Sequence, residues 1–236
     1  MERFAALVQR PDLDIELDRA ALLVGDWECG AVDIERYCHV LDDMAAAAER
    51  QRLLLDELPW SGARALGRTL FVELGFRGNT ADYYDPKNSF LREVLERRTG
   101  IPITLGVVYM EVARRIGVRA TGVGFPGHFL VRVHEGDDGL VIDPFNGGAA
   151  LSESDLHELL KRVVGPEAKL EPNLLEPTSN RQILTRMLLN LAGIYGRQGD
   201  LFRSLEVLER LYILDAANPR IQRELETLRR RVDGLN

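Results

Sequence analysis

Apolar residues recur at helical spacing through the first third of the chain. The stretch "LDIELDRAALLVGDWE" carries them as one helix to a stop near Gly30. Asp33 is a good N-cap for a long second helix, "DIERYCHVLDDMAAAAERQRLLLDEL", which the period carries to Leu58, just before Pro59. "ARALGRTLFVELGF" reads as a third helix closed by Gly75 and Gly78. A polar, aromatic loop, "RGNTADYYDPKN", leads into "SFLREVLERRTG", a short helix expected to be capped by Asn88 or Ser89 and to end at Gly100.

The pattern changes in the middle third. "IPITLGVVYMEVARRIGV" places Leu105, Val108, Tyr109, Val112 and Ile116 on one helical face, so it reads as a buried helix. Pro102 suits its first turn, where a missing N–H costs nothing. "ATGVGF" predicts a strand. "HFLVRVHE" predicts the next, alternating Phe129, Val131 and Val133 against His128, Leu130 and Arg132. "DDG" predicts the turn and "LVID" the returning strand. A helix followed by antiparallel strands makes the fold class α+β.

From Ser152 to Thr178 the pattern gives a helix and then a linker bearing Pro166, Pro172 and Pro177. Three further helices follow. Leu188, Leu191, Ala192, Tyr195, Gly199, Leu208 and Leu211 fit the spacing of one tetratricopeptide repeat, and Asn218-Pro219 opens the next helix. Ser204 stands where that repeat usually has alanine, and Ala216 where it usually has proline. A single repeat with a capping helix cannot bury its own face, so it must pack on the rest of the chain or on a partner. The expected organisation is a helical region over 1–80, an α+β core over 81–165 and a helical segment over 178–236.

Composition narrows the function. The 236 residues are 45% hydrophobic and 28% charged, ordinary for a globular protein. A formal net charge of -7 argues against a direct nucleic-acid binder, which needs a basic face. The first residues make a poor signal peptide, and no apolar run reaches the roughly 18 residues of a membrane span, so a cytoplasmic protein without membrane contact is expected. The two cysteines, Cys29 and Cys38, support neither a disulfide framework nor a zinc site, and both read as small buried hydrophobes. No cofactor or metal is expected. His128 and His134 would be about 20 Å apart along one strand, too far for a shared ion.

The chemistry that remains is a pair. The hairpin "GFPGHFLVRVHEGDDGLVIDPFNGG" can bring the imidazole of His128 and the carboxylate of Asp143 together as a base and its orienter. Asp143 could equally cap the "PFNGG" turn, and His128 could serve hydrogen bonding in a polar pocket. Asn88 and Glu96, ahead of the buried helix, are candidates for a polar wall of the same cleft, or else a helix cap and a surface charge. Thr104 is the nearest hydroxyl, yet two residues along a helix turn it about 200° from Pro102.

Together, the glycine, the helix start, the "HFLVRV" strand and the "IDP" strand end resemble the core of the transglutaminase-like and papain-like superfamily. The resemblance implies a triad: a cysteine at a helix N-terminus, a strand histidine and an aspartate. His128 matches the histidine and Asp143 the aspartate. Counting back from "RRIGVRA", the cysteine position falls on Pro102, which has no nucleophile. Over nearly the whole chain, "LFVELGFRGNTADYYDPKNSFLREVLERRTGIPITLGVVYMEVARRIGV", "FPGHFLVRV" and "IDPFNGG" resemble the bacterial family labelled regulators of sirC expression. That resemblance implies a transglutaminase-like core with a C-terminal tetratricopeptide segment, and a proline in place of the cysteine.

The expected function is a non-catalytic, protein- or peptide-binding regulatory or scaffold module. Its cleft would be formed by Asn88, Glu96, Thr104, His128 and Asp143. The alternative is a hydrolase or acyltransferase in which the His128–Asp143 pair acts as general base on water. A third reading makes the chain a helical adaptor that binds through the exposed face of Arg186–Arg203.

Overall fold

The computed structural model describes residues 1–55 and 57–234; the side chain of Cys29 lies outside that description, and with it the expectation of its burial. The architecture is α+β. At its centre runs the helix Pro102–Arg115, in which every residue from Pro102 to Ala113 is buried. A one-sided stripe was expected. Instead, polar residues enter only at the two ends, and the helix is covered all round.

Helices of the N-terminal half cover one side. The longest, Ile34–Leu54, starts where Asp33 accepts the Arg36 N–H at 3.1 Å. It ends four residues before the expected Leu58, and Asp56 lies outside the described residues. The expected single helix before it is broken into Asp12–Asp14, Leu17–Leu22, Leu23–Gly25 and Asp26–Cys29. The helix after it, Ser61–Gly67, continues as a π-helical turn over Arg68–Glu73.

An antiparallel five-stranded sheet covers the other side. Its order is Ala149–Leu151, Asp138–Asp143, Leu130–Glu135, Ala120–Val123 and Pro177–Thr178. The last strand lies in the proline-bearing stretch read from sequence as linker, and it pairs Gly122 with Thr178. The hairpin turn is one residue earlier than expected. Glu135 pairs with Asp138, so Gly136-Asp137 makes a two-residue turn, with Gly136 at φ 59.

Both faces of the sheet are buried. Phe129, Val131 and Val133 pack toward the central helix, whereas Val123, Leu130 and Val141 pack against Leu156 and Leu160 of the helix Glu153–Val164. Glycine permits the first contact, because a Cβ on Gly106 would lie 2.6 Å from the Phe129 ring.

The C-terminal helices are Asn180–Gln198, Leu201–Leu214 and Pro219–Asp233, capped by Ser179, Asp200 and Asn218. They do not stand apart. One cluster of buried side chains runs from Phe4 through the central helix to Leu191, Tyr195 and Leu214. Arg210, 1% exposed, pairs with Asp26 at 2.7 Å and with Glu206 at 2.7 Å, which ties the second of these helices to the N-terminal region. Among the described residues no helix is long and apolar enough to cross a membrane.

Candidate binding cleft

His128 sits in the turn before its strand, which starts at Leu130. Asp143 is the last residue of the adjacent strand. Antiparallel pairing of Val131 with Ile142 sets these two ends side by side, and His128 Nε2 lies 2.9 Å from Asp143 Oδ2.

Asp143 is buried at 2% exposure and fully engaged. Its Oδ1 accepts the N–H groups of Phe145 at 3.0 Å and Asn146 at 3.3 Å, and its Oδ2 also accepts Asn146 Nδ2 at 2.7 Å. Burial alone would raise its pKa. The hydrogen bond and charge of His128, with the donors of Asn146, outweigh burial and hold the carboxyl below its ordinary value. Asp143 therefore both orients the imidazole and caps the "PFNGG" turn. The two readings of the sequence were not exclusive.

A cavity of about 120 Å³ opens beside the imidazole. Pro102 and Ile103, His128 and Phe129, Tyr83, Arg186 and Asn190 are among its lining residues. Pro102, in the first turn of the central helix, thus faces the same small space as His128. A second cavity of about 190 Å³, bounded by Tyr83, Tyr84, Ile101, Leu189 and Arg197, shares Tyr83 and Asn190 with the first. The Arg197 guanidinium lies 4.2 Å from the Tyr84 ring centroid.

The other proposed cleft residues lie elsewhere. Asn88 is buried, and its amide donates to the carbonyls of Asp82 at 2.8 Å and Tyr83 at 3.2 Å while accepting Asn79 Nδ2 at 3.0 Å. It clamps the loop that carries Tyr83 and does not line either cavity. Nor does it cap the next helix, Leu91–Arg97, whose N-cap is Phe90. The Thr104 hydroxyl donates to Asn88 O at 2.8 Å and accepts the Ile101 N–H at 3.1 Å. It is consumed in closing the helix start. Glu96 is exposed and accepts a hydrogen bond from Tyr37, away from the cleft. Burial, then the neighbouring Glu96, pushes the Tyr37 phenol up to about 12.

The described cysteine thiol is remote in character as well as place. Cys38 is buried beside Asp18, with Sγ 3.9 Å from Oδ2, and lines a different cavity of about 780 Å³. Burial first, then Asp18, push its thiol up to about 11, so it stays protonated near neutral pH. His134 bonds the Thr121 hydroxyl at 3.0 Å. No group of three or more metal-ligating side chains converges among the described residues.

Sequence reasoning missed three contributors to the cleft: Arg186, Asn190 and the Tyr83-Tyr84 pair. Arg186 and Asn190 are four residues apart on the helix Asn180–Gln198, one helical turn, and the tyrosines stand in an otherwise polar loop. The aromatic pair was the available signal.

Residues 35–189 match a family model described as the transglutaminase-like superfamily. The chain is 42% identical over 163 residues to a UPF0162 protein of Xylella fastidiosa, an alignment covering 68% of this chain and 58% of that protein. Identity to a UPF0162 protein of Pseudomonas aeruginosa is 34% over 171 residues, covering 72% of this chain and 57% of the other. The F-box only protein 21 of Mus musculus is 29% identical over 209 residues, covering 72% of this chain and 32% of its own length. The chain thus spans less than two thirds of the length of these relatives. No solved structure matches it.

Proposed function

The chain belongs to the transglutaminase-like superfamily, and we propose that within it this protein is a binding module that holds a protein or peptide in the His128 cleft without chemistry. The observation that carries the reading is Pro102. A cysteine nucleophile of such a core would stand at a helix N-terminus beside a histidine, where the helix field and the imidazole favour a thiolate. Pro102 opens the central helix and shares a cavity with His128, and its ring offers no nucleophile. Neither the nearest hydroxyl nor the described thiol replaces it: the Thr104 hydroxyl is tied to Asn88 O, and the Cys38 thiol lines another cavity.

A binding role explains why the rest is kept in order. A fully engaged carboxylate, a fixed imidazole and a pair of tyrosines make a preorganised recognition surface, which lowers the ordering cost of binding. The helix Asn180–Gln198 forms one wall of it, so the C-terminal helices serve as scaffold for the cleft as well as surface.

One observation favours a second reading, a hydrolase that acts through water. The His128–Asp143 contact at 2.9 Å is that of a base and its orienter, and the other ring nitrogen, Nδ1, is left for a proton acceptor's task. Turnover separates the two. Purified protein is offered acyl esters and peptide amides beside a His128→Ala variant. The binding reading expects both to match the buffer blank. Hydrolysis by the wild type that His128→Ala abolishes would replace it with the second reading.

A further inference from the structure

The cleft holds a cation that has no counter-ion among the described residues. Arg186 reaches into the floor of the 120 Å³ cavity from the helix Asn180–Gln198. Its Nη2 donates to the carbonyl oxygens of Phe125 at 3.2 Å and of His128, and its guanidinium lies 5.8 Å from the Phe129 ring centroid. No carboxylate pairs with it among the described residues, and its Nε and Nη1 have no hydrogen-bond partner there. Arg186 is only half-buried, and these two nitrogens are not sealed from solvent, so an incoming anion can meet them. Burial pulls the Arg186 pKa down.

Two neighbours add to the same field. Pro102 and Ile103 bring the N-terminus of the 14-residue central helix to the cavity, and the dipole there favours negative charge. Asp143 does not oppose that field, because its charge is already taken up by the imidazole, Asn146 and two backbone N–H groups. Asn190, one helical turn from Arg186, also lines the cavity.

We propose that this cavity is a carboxylate subsite, in which Arg186 and the start of the central helix receive the C-terminal carboxylate of a peptide beside the His128 ring. The inference rests on the binding reading given above and names what the cleft binds. A thiolate at position 102 would have supplied the missing anion from within the protein; with proline there, the ligand supplies it. Size selects a chain end. A space of about 120 Å³ is well below the roughly 300–1,000 Å³ of a typical small-molecule site, and admits a terminal carboxylate with little beyond it. The preceding residue would then enter the adjoining open space, where Tyr83, Tyr84, Ile101 and Leu189 stand beside Asn190 and Arg197.

The test is a solution titration of the full chain, labelled with nitrogen-15, using three probes: N-acetyl-Leu-Gly, its C-terminal amide, and acetate. Backbone signals of Ile103, Gly127 and His128 and the Arg186 Nε–H report binding. The expected result is binding of the free acid at least about tenfold tighter than the amide, as charge-assisted bonds to arginine require. Acetate should shift the same signals more weakly. Arg186→Gln should erase the preference for acid over amide, and Arg186→Lys, which keeps the charge, should retain part of it. The Lys variant also stands in if the Gln variant fails to fold. Equal binding of acid and amide that still needs His128 would overturn the carboxylate assignment while leaving the cleft reading intact. Absence of any cleft shift with all three probes would overturn the carboxylate subsite itself, and leaves the binding reading to its own turnover assay.

Discussion

Asp143→Asn keeps the shape of the side chain and removes its charge, and the structure allows the consequence to be sized. Four donors converge on the carboxylate: His128 Nε2 at 2.9 Å, Asn146 Nδ2 at 2.7 Å, and the N–H groups of Phe145 and Asn146 at 3.0 and 3.3 Å. In the variant the amide oxygen can keep the two backbone bonds as neutral ones. The new NH₂ faces two groups that were donating, so His128 must change tautomer and Asn146 must flip. Hydrogen bonds to a charged group contribute about 1.5–3 kcal/mol and neutral ones about 0.5–1.5 kcal/mol. Because the four share one carboxylate they do not add fully, and a loss of about 2–3 kcal/mol at pH 7 is expected. The pH dependence has a definite sign. Asp143 has a folded pKa below the ordinary 3.8, so its charge stabilises fully above the unfolded value and less as pH falls through the folded one. Urea unfolding at pH 7, 5, 4 and 3 should therefore show a gap between wild type and variant that is full at pH 5–7 and closes below about pH 4. A gap under about 0.5 kcal/mol at pH 7, or one that widens in acid, would refute the reasoning.

Other outcomes follow from the same structure. Pro102→Cys should place a thiol beside His128 at the helix start, and iodoacetamide should label it at pH 7 faster than Cys38; equal rates would mean that position 102 is not the nucleophile position. In a Cys29→Ser background Cys38, pushed up to about 11, should react with a disulfide reagent at pH 8 at about a hundredth or less of the rate of a free thiol. Arg210→Ala strips the partner from Asp26 at 2.7 Å in a nearly closed environment, and chemical denaturation should register a loss of about 3–5 kcal/mol. Asn88→Ala releases the carbonyls of Asp82 and Tyr83, and limited proteolysis should begin to cut within residues 79–87 under conditions that leave the wild type whole.

The parts of this molecule that could be read from the sequence are those governed by local pattern. The helix start at Asp33 followed from a side chain that caps its own backbone, those at Ser152 and Asn218 from where the helical pattern resumes, and the strands on either side of the hairpin from alternation and a glycine turn. The His128–Asp143 pair was legible for the same reason, since hairpin register is local. What the pattern could not supply was contact between distant segments. Arg186 meets the carbonyl of His128 across 58 residues, and nothing at either position marks the other. Asn88 and Thr104 were chosen because polar residues near a site are often exposed to it; here each bonds buried backbone, a role that depends on how loop and helix pack. The short edge strand Pro177–Thr178 escaped because prolines are poor strand formers, and only at a sheet edge is a missing N–H tolerated.

Whether the cleft binds without reacting is tested most directly by native co-purification from bacterial lysate. Wild type is run beside a folded His128→Ala, Asp143→Asn double variant, and whatever is retained is identified by mass spectrometry with its intact mass. A protein or peptide should be held by the wild type at its full, unmodified mass and lost from the variant. A partner held equally by both would move function to the helical surfaces, and one cleaved or modified only by the wild type would show that the cleft performs chemistry.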